Sequence, residues 1–444
     1  MLSTLFNAVR EKDIRKKLGW TFLILFVYRI GTHITVPGVD PAALTNMANS
    51  GLMNILNIFS GGGLMNYSLF AMGVSPYVTA QIVVQLLQLD IVPRFVEWSK
   101  QGEVGRRKLN NATRWLTLVL AFVQSVGITA GFNSLSAYGL VSQTNSLSSF
   151  VIIGSVMTIG TMFAVWLGEM ITEKGLGNGV SMVIFAGIIS QVPSGLYELF
   201  KENILEASAN EKVNGWVFMI VLLIAIVLVI AIVTWFYEAT RRLQMQYTRS
   251  AAAYGSEAYL PLKVNVSGVI PVIFASSFIS TPQTVLFAFQ DKYSSAGWYQ
   301  VMQQLFSMTT VPGAILYTVL IIVFTYFYAF VQVNPEKLSD NLQKQGAYIV
   351  SIRPGKETKA FVSQLLLNLS FVGSLFLGFV ALVPLIAGDI WGLNERIGLG
   401  GTSLLITIGV ALDLIRQIDG LMQKRNYIGF IKKEQLAARE ATNG

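Results

Sequence analysis

The sequence contains no cysteine, which excludes a disulfide framework and any thiolate metal site. Its one histidine, His33, cannot build a histidine metal cluster. Neither an H-E-x-x-H run nor a phosphate-cradling G-x-x-x-x-G-K-[ST] run occurs. The chain therefore does not hydrolyse a nucleotide through a phosphate loop, and no cofactor or metal is expected. Charge is scarce as well. Only 13% of the 444 residues are charged, against about 25% in a water-soluble domain. No carboxylates line up inside the apolar segments, so a proton or sodium relay is not expected. These absences argue against an enzyme.

What the chain has in excess is apolar residues, 53% of the total. Runs long enough to cross a bilayer, about 20 residues each, fall at 18–36, 74–91, 114–133, 149–171, 179–196, 215–237, 267–289, 313–333, 361–386 and 401–421. The expected fold is an all-α polytopic membrane protein with ten transmembrane helices. Residues 1–17 form a basic cytoplasmic segment with an amphipathic face (Leu2, Leu5, Phe6, Val9) at the membrane surface. No small-residue cleavage site follows the first apolar run, so that run is expected to be retained.

Lysine and arginine orient the spans, because they stay on the cytoplasmic side. Of 32 basic residues, only Lys201, Lys212, Lys292 and Arg396 fall on outer loops and Arg29 lies within the first span, which leaves 27 for the inner segments and the cytoplasmic ends of the spans. Both termini are then cytoplasmic. Ten spans divide into two halves, residues 18–200 and 215–421, joined by an external hinge at 201–214 and followed by a tail at 422–444. Five spans per half is an odd number, so the halves are inverted, an arrangement that places a pathway at their interface. Two cytoplasmic loops, 238–266 and 334–360, are longer than orientation requires and carry basic residues suited to docking a large partner.

One uncharged stretch, residues 61–87, cannot be an ordinary span. A helix interior loses about 1 kcal/mol per glycine and about 3 kcal/mol for a proline relative to alanine. The expected outcome is a half-helix from Leu64 to Met72, a break at Gly73, and a second helix with Pro76 in its first turn. Broken backbone at membrane depth is tolerated only where protein buries it or it lines a cavity, so the chain is expected to surround an internal space. The glycine-rich run Gly175-Leu176-Gly177-Asn178-Gly179 lacks a surrounding strand–loop–helix unit and reads as a tight turn between the fourth and fifth spans. On these residues alone, an inverted-repeat secondary transporter and a structural scaffold stay open beside a channel.

Several longer runs are more specific. They include Tyr28-Arg29-Ile30-Gly31-Thr32-His33-Ile34 with Val36-Pro37-Gly38, and Phe59-Ser60-Gly61-Gly62 leading to Pro76-Tyr77. Gly105-Arg106-Arg107-Lys108, Trp166-Leu167-Gly168-Glu169 and Ile171-Thr172-Glu173-Lys174 before the glycine-rich turn follow. The second half adds Leu260-Pro261-Leu262-Lys263-Val264-Asn265, Gly268-Val269-Ile270-Pro271, Asp340-Asn341-Leu342, Ile352-Arg353-Pro354-Gly355 and Gly400-Gly401-Thr402-Ser403-Leu404-Leu405-Ile406. In number, order and placement these runs resemble the SecY family, the channel subunits of the bacterial protein translocase, along nearly the whole chain.

The resemblance implies an hourglass pore between two inverted five-helix halves, with an outer plug and a lateral gate toward lipid. The plug would be Gly61, Gly62, Gly63, Leu64, Met65, Asn66, Tyr67, Ser68, Leu69, Phe70, Ala71 and Met72. The constriction would be a ring of Val74, Val78, Val180, Ile184, Ile273 and Ile406, with valine at three positions where relatives often have isoleucine. Arg353, with Arg242 and Arg249 behind it, would dock the SecA motor ATPase or a ribosome, and arginine suits polyanionic RNA by phosphate pairing. Ser351 stands where relatives often have glycine. Other implied partners are SecE- and SecG-type small membrane subunits, signal sequences, unfolded polypeptides and anionic lipids. The implied setting is the bacterial plasma membrane, with ATP hydrolysis supplied by a partner to a passive channel.

Overall fold

The computed structural model describes residues 11–39, 61–64, 66–88, 92–135, 147–206, 212–247, 258–308, 310–391 and 403–422. In chain order these form α1 (Lys12–Gly31), α2 (Ser75–Leu87), α3 (Pro93–Lys100), α4 (Gly102–Leu135), α5 (Leu147–Lys174) and α6 (Gly179–Phe200). A single π-helical turn, Lys201–Leu205, continues α6. Then come α7 (Lys212–Glu238), β1 (Thr240–Tyr247), β2 (Ala258–Lys263), α8 (Ile270–Ala288), α9 (Gln290–Tyr293), α10 (Gly297–Phe306), α11 (Val311–Gln332), α12 (Pro335–Lys344), β3 (Ala347–Ile349) and α13 (Lys356–Trp391). A last helix, α14, spans 403–422.

Each expected span overlaps a helix among the described residues. Seven helices among the described residues, α4 to α8, α11 and α13, are long and apolar enough to cross a membrane. The other three differ for local reasons. α1 begins in the basic cluster Lys12, Arg15, Lys16 and Lys17, and α14 carries Asp413, Arg416 and Asp419. α2 has 13 residues, which at 1.5 Å per residue is about 20 Å, short of a core about 30 Å thick. α7 is the most lipid-like helix: only 11% of its apolar window is buried.

Capping chemistry sets several boundaries. Asn178 ends the glycine-rich turn and accepts the Ser181 N–H at the start of α6. The Asn334 carboxamide accepts two N–H groups, from Glu336 and Lys337, with Pro335 in the first turn of α12. These are the residues that favour helix starts.

One expectation is corrected. The half-helix from Leu64 to Met72 does not form; its described residues are a succession of turns. Gly61, Gly62, Tyr67 and Gly73 take positive φ, which a right-handed helix cannot contain. The backbone bonds a helix would make are made elsewhere: Val36 N–H donates to the Tyr67 carbonyl at 3.0 Å, and Leu69 N–H to the Ile34 carbonyl at 2.9 Å. The break at Gly73 and the start of α2 with Pro76 in its first turn do occur.

The two basic loops add a small sheet to the helical fold. Parts of both fold into one three-stranded sheet of order β2-β1-β3, with β1 antiparallel to each neighbour. The signal was present in Leu243-Gln244-Met245-Gln246, where apolar and polar residues alternate as in a half-buried strand. Leu243, Leu262 and Ile349 bury one face against Leu342 of α12 and Val362 and Leu366 of α13.

Candidate functional site

The six expected ring residues come from four helices and their caps. Val74 caps α2 and Val78 lies in its first turn, Val180 and Ile184 open α6, Ile273 lies in the first turn of α8, and Ile406 lies on α14. They share one apolar cluster, in which five are buried and Val180 is half-buried against it. Aliphatic side chains offer an ion no ligand to replace its water, and they yield to a passing chain more readily than a polar network would.

Beside this cluster lies a polar seam that sequence reasoning missed. Thr79 of α2 and Thr281 of α8 share a hydrogen bond at 3.1 Å. Gln124 of α4 donates from Nε2 to Thr281 Oγ1 at 3.0 Å. α2 and α4 precede the midpoint of the chain and α8 follows it, so the seam ties the two halves. The hint in the sequence was the hydroxyl-rich run Ser276, Ser277, Ser280, Thr281 and Thr284 inside an apolar span.

The segment from Gly61 to Gly73 is wedged among helices. Leu64, Tyr67, Ser68, Phe70 and Ala71 are buried, while Asn66 and Leu69 are half-buried. Met65 lies outside the described residues. The Tyr67 hydroxyl donates to Thr129 of α4 at 2.8 Å, and the Phe70 ring stacks on Tyr28 of α1 and on Phe163 of α5. Two glycines make this approach possible. A Cβ on Gly31 would lie 2.0 Å from Phe70 Cε2, and one on Gly160 would lie 1.9 Å from the Leu69 carbonyl.

Three arginines near the spans have structural partners. Arg29 Nη1 donates to the Gly61 carbonyl at 2.6 Å, fixing the entry of the wedge. Arg114 makes a two-pronged contact with Glu169, linking α4 to α5. Arg416 donates to the Tyr237 carbonyl at 2.7 Å, at the end of α7, and sits 3.8 Å from Asp413. At the end of β2, burial and then the nearby Arg416 pull the Lys263 ammonium below its ordinary pKa, against the opposing pull of Asp413. His33 is exposed at the end of α1.

Of the expected docking arginines, Arg242 lies on β1 and is exposed, and Arg353 is exposed in the turn between β3 and α13. Arg249 lies outside the described residues. The Arg353 carbonyl accepts the Thr358 hydroxyl at 2.9 Å, which fixes the turn while leaving the guanidinium free to project. Ser351, two residues before, has φ of 69°, a conformation glycine adopts without strain. No group of three or more metal-ligating side chains occurs among the described residues.

A family model described as SecY matches residues 68–415. The chain is 60% identical over 432 residues to a protein translocase subunit SecY 1 of Lactobacillus kefiranofaciens, covering 97% of this chain and all of that one. It is 50% identical over 429 residues to the protein translocase subunit SecY of Lactococcus lactis, covering 96% and 98%. Among solved structures it resembles one described as a protein conducting channel, with a TM-score of 0.65 and 19% identity over 92% of each chain. A second, with a TM-score of 0.66 and 18% identity over 92% of each chain, is described in terms of a plug domain that stabilises the closed state of a SecY channel and maintains a membrane seal.

Proposed function

The chain belongs to the SecY family of protein translocase subunits, and from that premise we propose how its own residues do the work of a protein-conducting channel. Val74, Val78, Val180, Ile184, Ile273 and Ile406 form the constriction through which an unfolded polypeptide passes. Residues 61–72 close it from the outer side at rest. The observation that carries this reading is the gathering of six aliphatic residues, drawn from helices distant in sequence, into one cluster beside a polar seam. A conducting path lined this way resists ions yet holds no fixed chemistry against any particular side chain of the substrate.

The seam of Thr79, Thr281 and Gln124 is the place where the halves part to let an apolar segment out into lipid. Two hydrogen bonds hold it, and membrane hydrogen bonds average about 0.6 kcal/mol with a maximum of about 1.7 kcal/mol. Such a seam closes at rest and opens without a large driving force. The basic sheet carrying Arg242, with Arg353 in the adjoining turn, receives the SecA motor or a ribosome on the cytoplasmic side, and the ATP is hydrolysed there. SecE- and SecG-type subunits cover part of the lipid-facing surface. The setting is the plasma membrane, with both termini cytoplasmic.

Reconstitution tests the reading. Liposomes containing this chain with its small subunits should take up an unfolded precursor only when SecA, ATP and a signal sequence are all supplied. Coupled uptake of a small solute, with no precursor transport in a competent preparation, would overturn it in favour of a transporter.

A further inference from the structure

α10 carries an apolar stripe that no described residue covers. Trp298, Val301, Met302 and Leu305 fall at i, i+3, i+4 and i+7, one face of a helix. Trp298, Val301 and Met302 are exposed, Val301 by 62%, and Leu305 is half-buried. A second face, Tyr299 and Phe306, packs inward, and the buried Tyr299 hydroxyl donates to the Leu286 carbonyl at 3.0 Å, in the last turn of α8. A third face, Gln300, Gln303 and Gln304, is polar and exposed. Three sectors on a ten-residue helix are one more than a helix lying on protein in water needs.

Placement identifies the medium. α8 starts seven residues after the end of β2 and runs 19 residues, about 28 Å at 1.5 Å per residue, close to the thickness of the hydrocarbon core. α10 therefore sits at the opposite end of α8 from the sheet, at the level of the far membrane interface. From α10 the exposed apolar surface continues along α11 through Val311, Ile315, Val319 and Val323, at every fourth position. Only 28% of that helix's apolar window is buried, so its open face is the lipid-facing face of a span. Tyr293 and Trp298 lie 5.4 Å apart between ring centroids, and the Lys292 ammonium lies 5.4 Å from the Tyr293 ring. Aromatic rings grouped with a lysine are the side chains that settle at a membrane–water interface.

We propose that α10 is an interfacial membrane anchor. Its stripe of Trp298, Val301, Met302 and Leu305 lies in the headgroup–acyl boundary of the leaflet facing away from the basic sheet, with its glutamines toward water. Through Tyr299 it holds the far end of α8 at interface level, so the lipid surface bears on a helix that also carries Ile273 and Thr281. The placement of α10 rests on the spanning helices and does not depend on what the channel conducts.

The absence of native cysteine makes the test direct. Val301→Cys, Met302→Cys, Gln300→Cys and Gln304→Cys are each labelled with an environment-sensitive fluorophore. Each is then reconstituted as the full chain with its subunits in phosphatidylethanolamine–phosphatidylglycerol vesicles, with or without bromine on the upper acyl carbons. Size-exclusion chromatography confirms assembly of each variant. The expected result is loss of fluorescence in brominated vesicles at 301 and 302, and little loss at 300 and 304. Equal quenching at all four positions, or none at any, overturns the proposal. Absent quenching at 301 and 302 together with protection from a water-soluble thiol reagent also overturns it, and assigns the stripe to a protein partner.

Discussion

Thr79 and Thr281, 202 residues apart in sequence, meet hydroxyl to hydroxyl at 3.1 Å, and Gln124 reaches the same Thr281 oxygen. The contact lies beside the apolar cluster that holds Val78 and Ile273. Thr79 is one residue past Val78, and Thr281 is two helical turns past Ile273. α2 and α8 therefore each carry one residue of the apolar cluster and one hydroxyl of the seam. On the proposed function, a seam residue and a ring residue carried on one helix move together, so parting the halves also widens the constriction.

Thr281→Val removes the shared hydroxyl while keeping the shape. Losing about 1 kcal/mol of membrane hydrogen bonding shifts a closed–open ratio about fivefold. Export of a reporter with a weakened signal sequence should rise by a similar factor, with normal protein abundance. Export unchanged from wild type would separate this seam from gating.

Replacing Val78 and Ile273 together with serine should let water wet the constriction. Each buried aliphatic side chain contributes about 1.5–3 kcal/mol, and about 5.5 kcal/mol carries a two-state system from 1:99 to 99:1. The double variant should conduct ions in a planar bilayer with no precursor present. A silent bilayer would count against both positions as constriction residues.

Arg353→Glu should reduce SecA- or ribosome-driven export several-fold and leave folding and membrane insertion intact, because the side chain is exposed and only its carbonyl is used in the turn. Pulse-labelled export in cells measures the first effect, and the amount of membrane-inserted protein measures the second. A fall in abundance instead would assign Arg353 a structural role.

Ser351→Gly should raise stability. Left-handed backbone costs a non-glycine residue about 1–2 kcal/mol, offset by about 0.4–1 kcal/mol of added freedom in the unfolded chain. A small upward shift in thermal unfolding, with export unchanged, is expected in detergent-solubilised protein. A downward shift would mean that the serine hydroxyl contributes more than the strain costs.

Much of the architecture follows from local chemistry and was legible without coordinates. The ten apolar runs, the break at Gly73, the start of α2 with Pro76 in its first turn and the tight turn at 175–179 each depend on residues within a turn or two, so composition and spacing determined them. The runs quoted from Tyr28 to Ile406 likewise carried the family. The alternation at Leu243-Gln244-Met245-Gln246 was readable too, but short alternation in a basic loop does not reveal which distant strand completes a sheet.

Tertiary structure alone decided what depends on partners far along the chain. Residues 61–72 have an apolar composition compatible with a helix, yet Ile34 and Val36 claim their backbone groups, and the notches at Gly31 and Gly160 admit a turn-built wedge. The loops became a sheet because Met245 of β1 faces Ala258 on one side and Ile349 on the other. Hydroxyls at Thr79 and Thr281 looked like ordinary helix residues until the halves met. Burial free energy sums over each segment and is readable locally. A hydrogen bond or a glycine notch has meaning only once the opposing surface is in place.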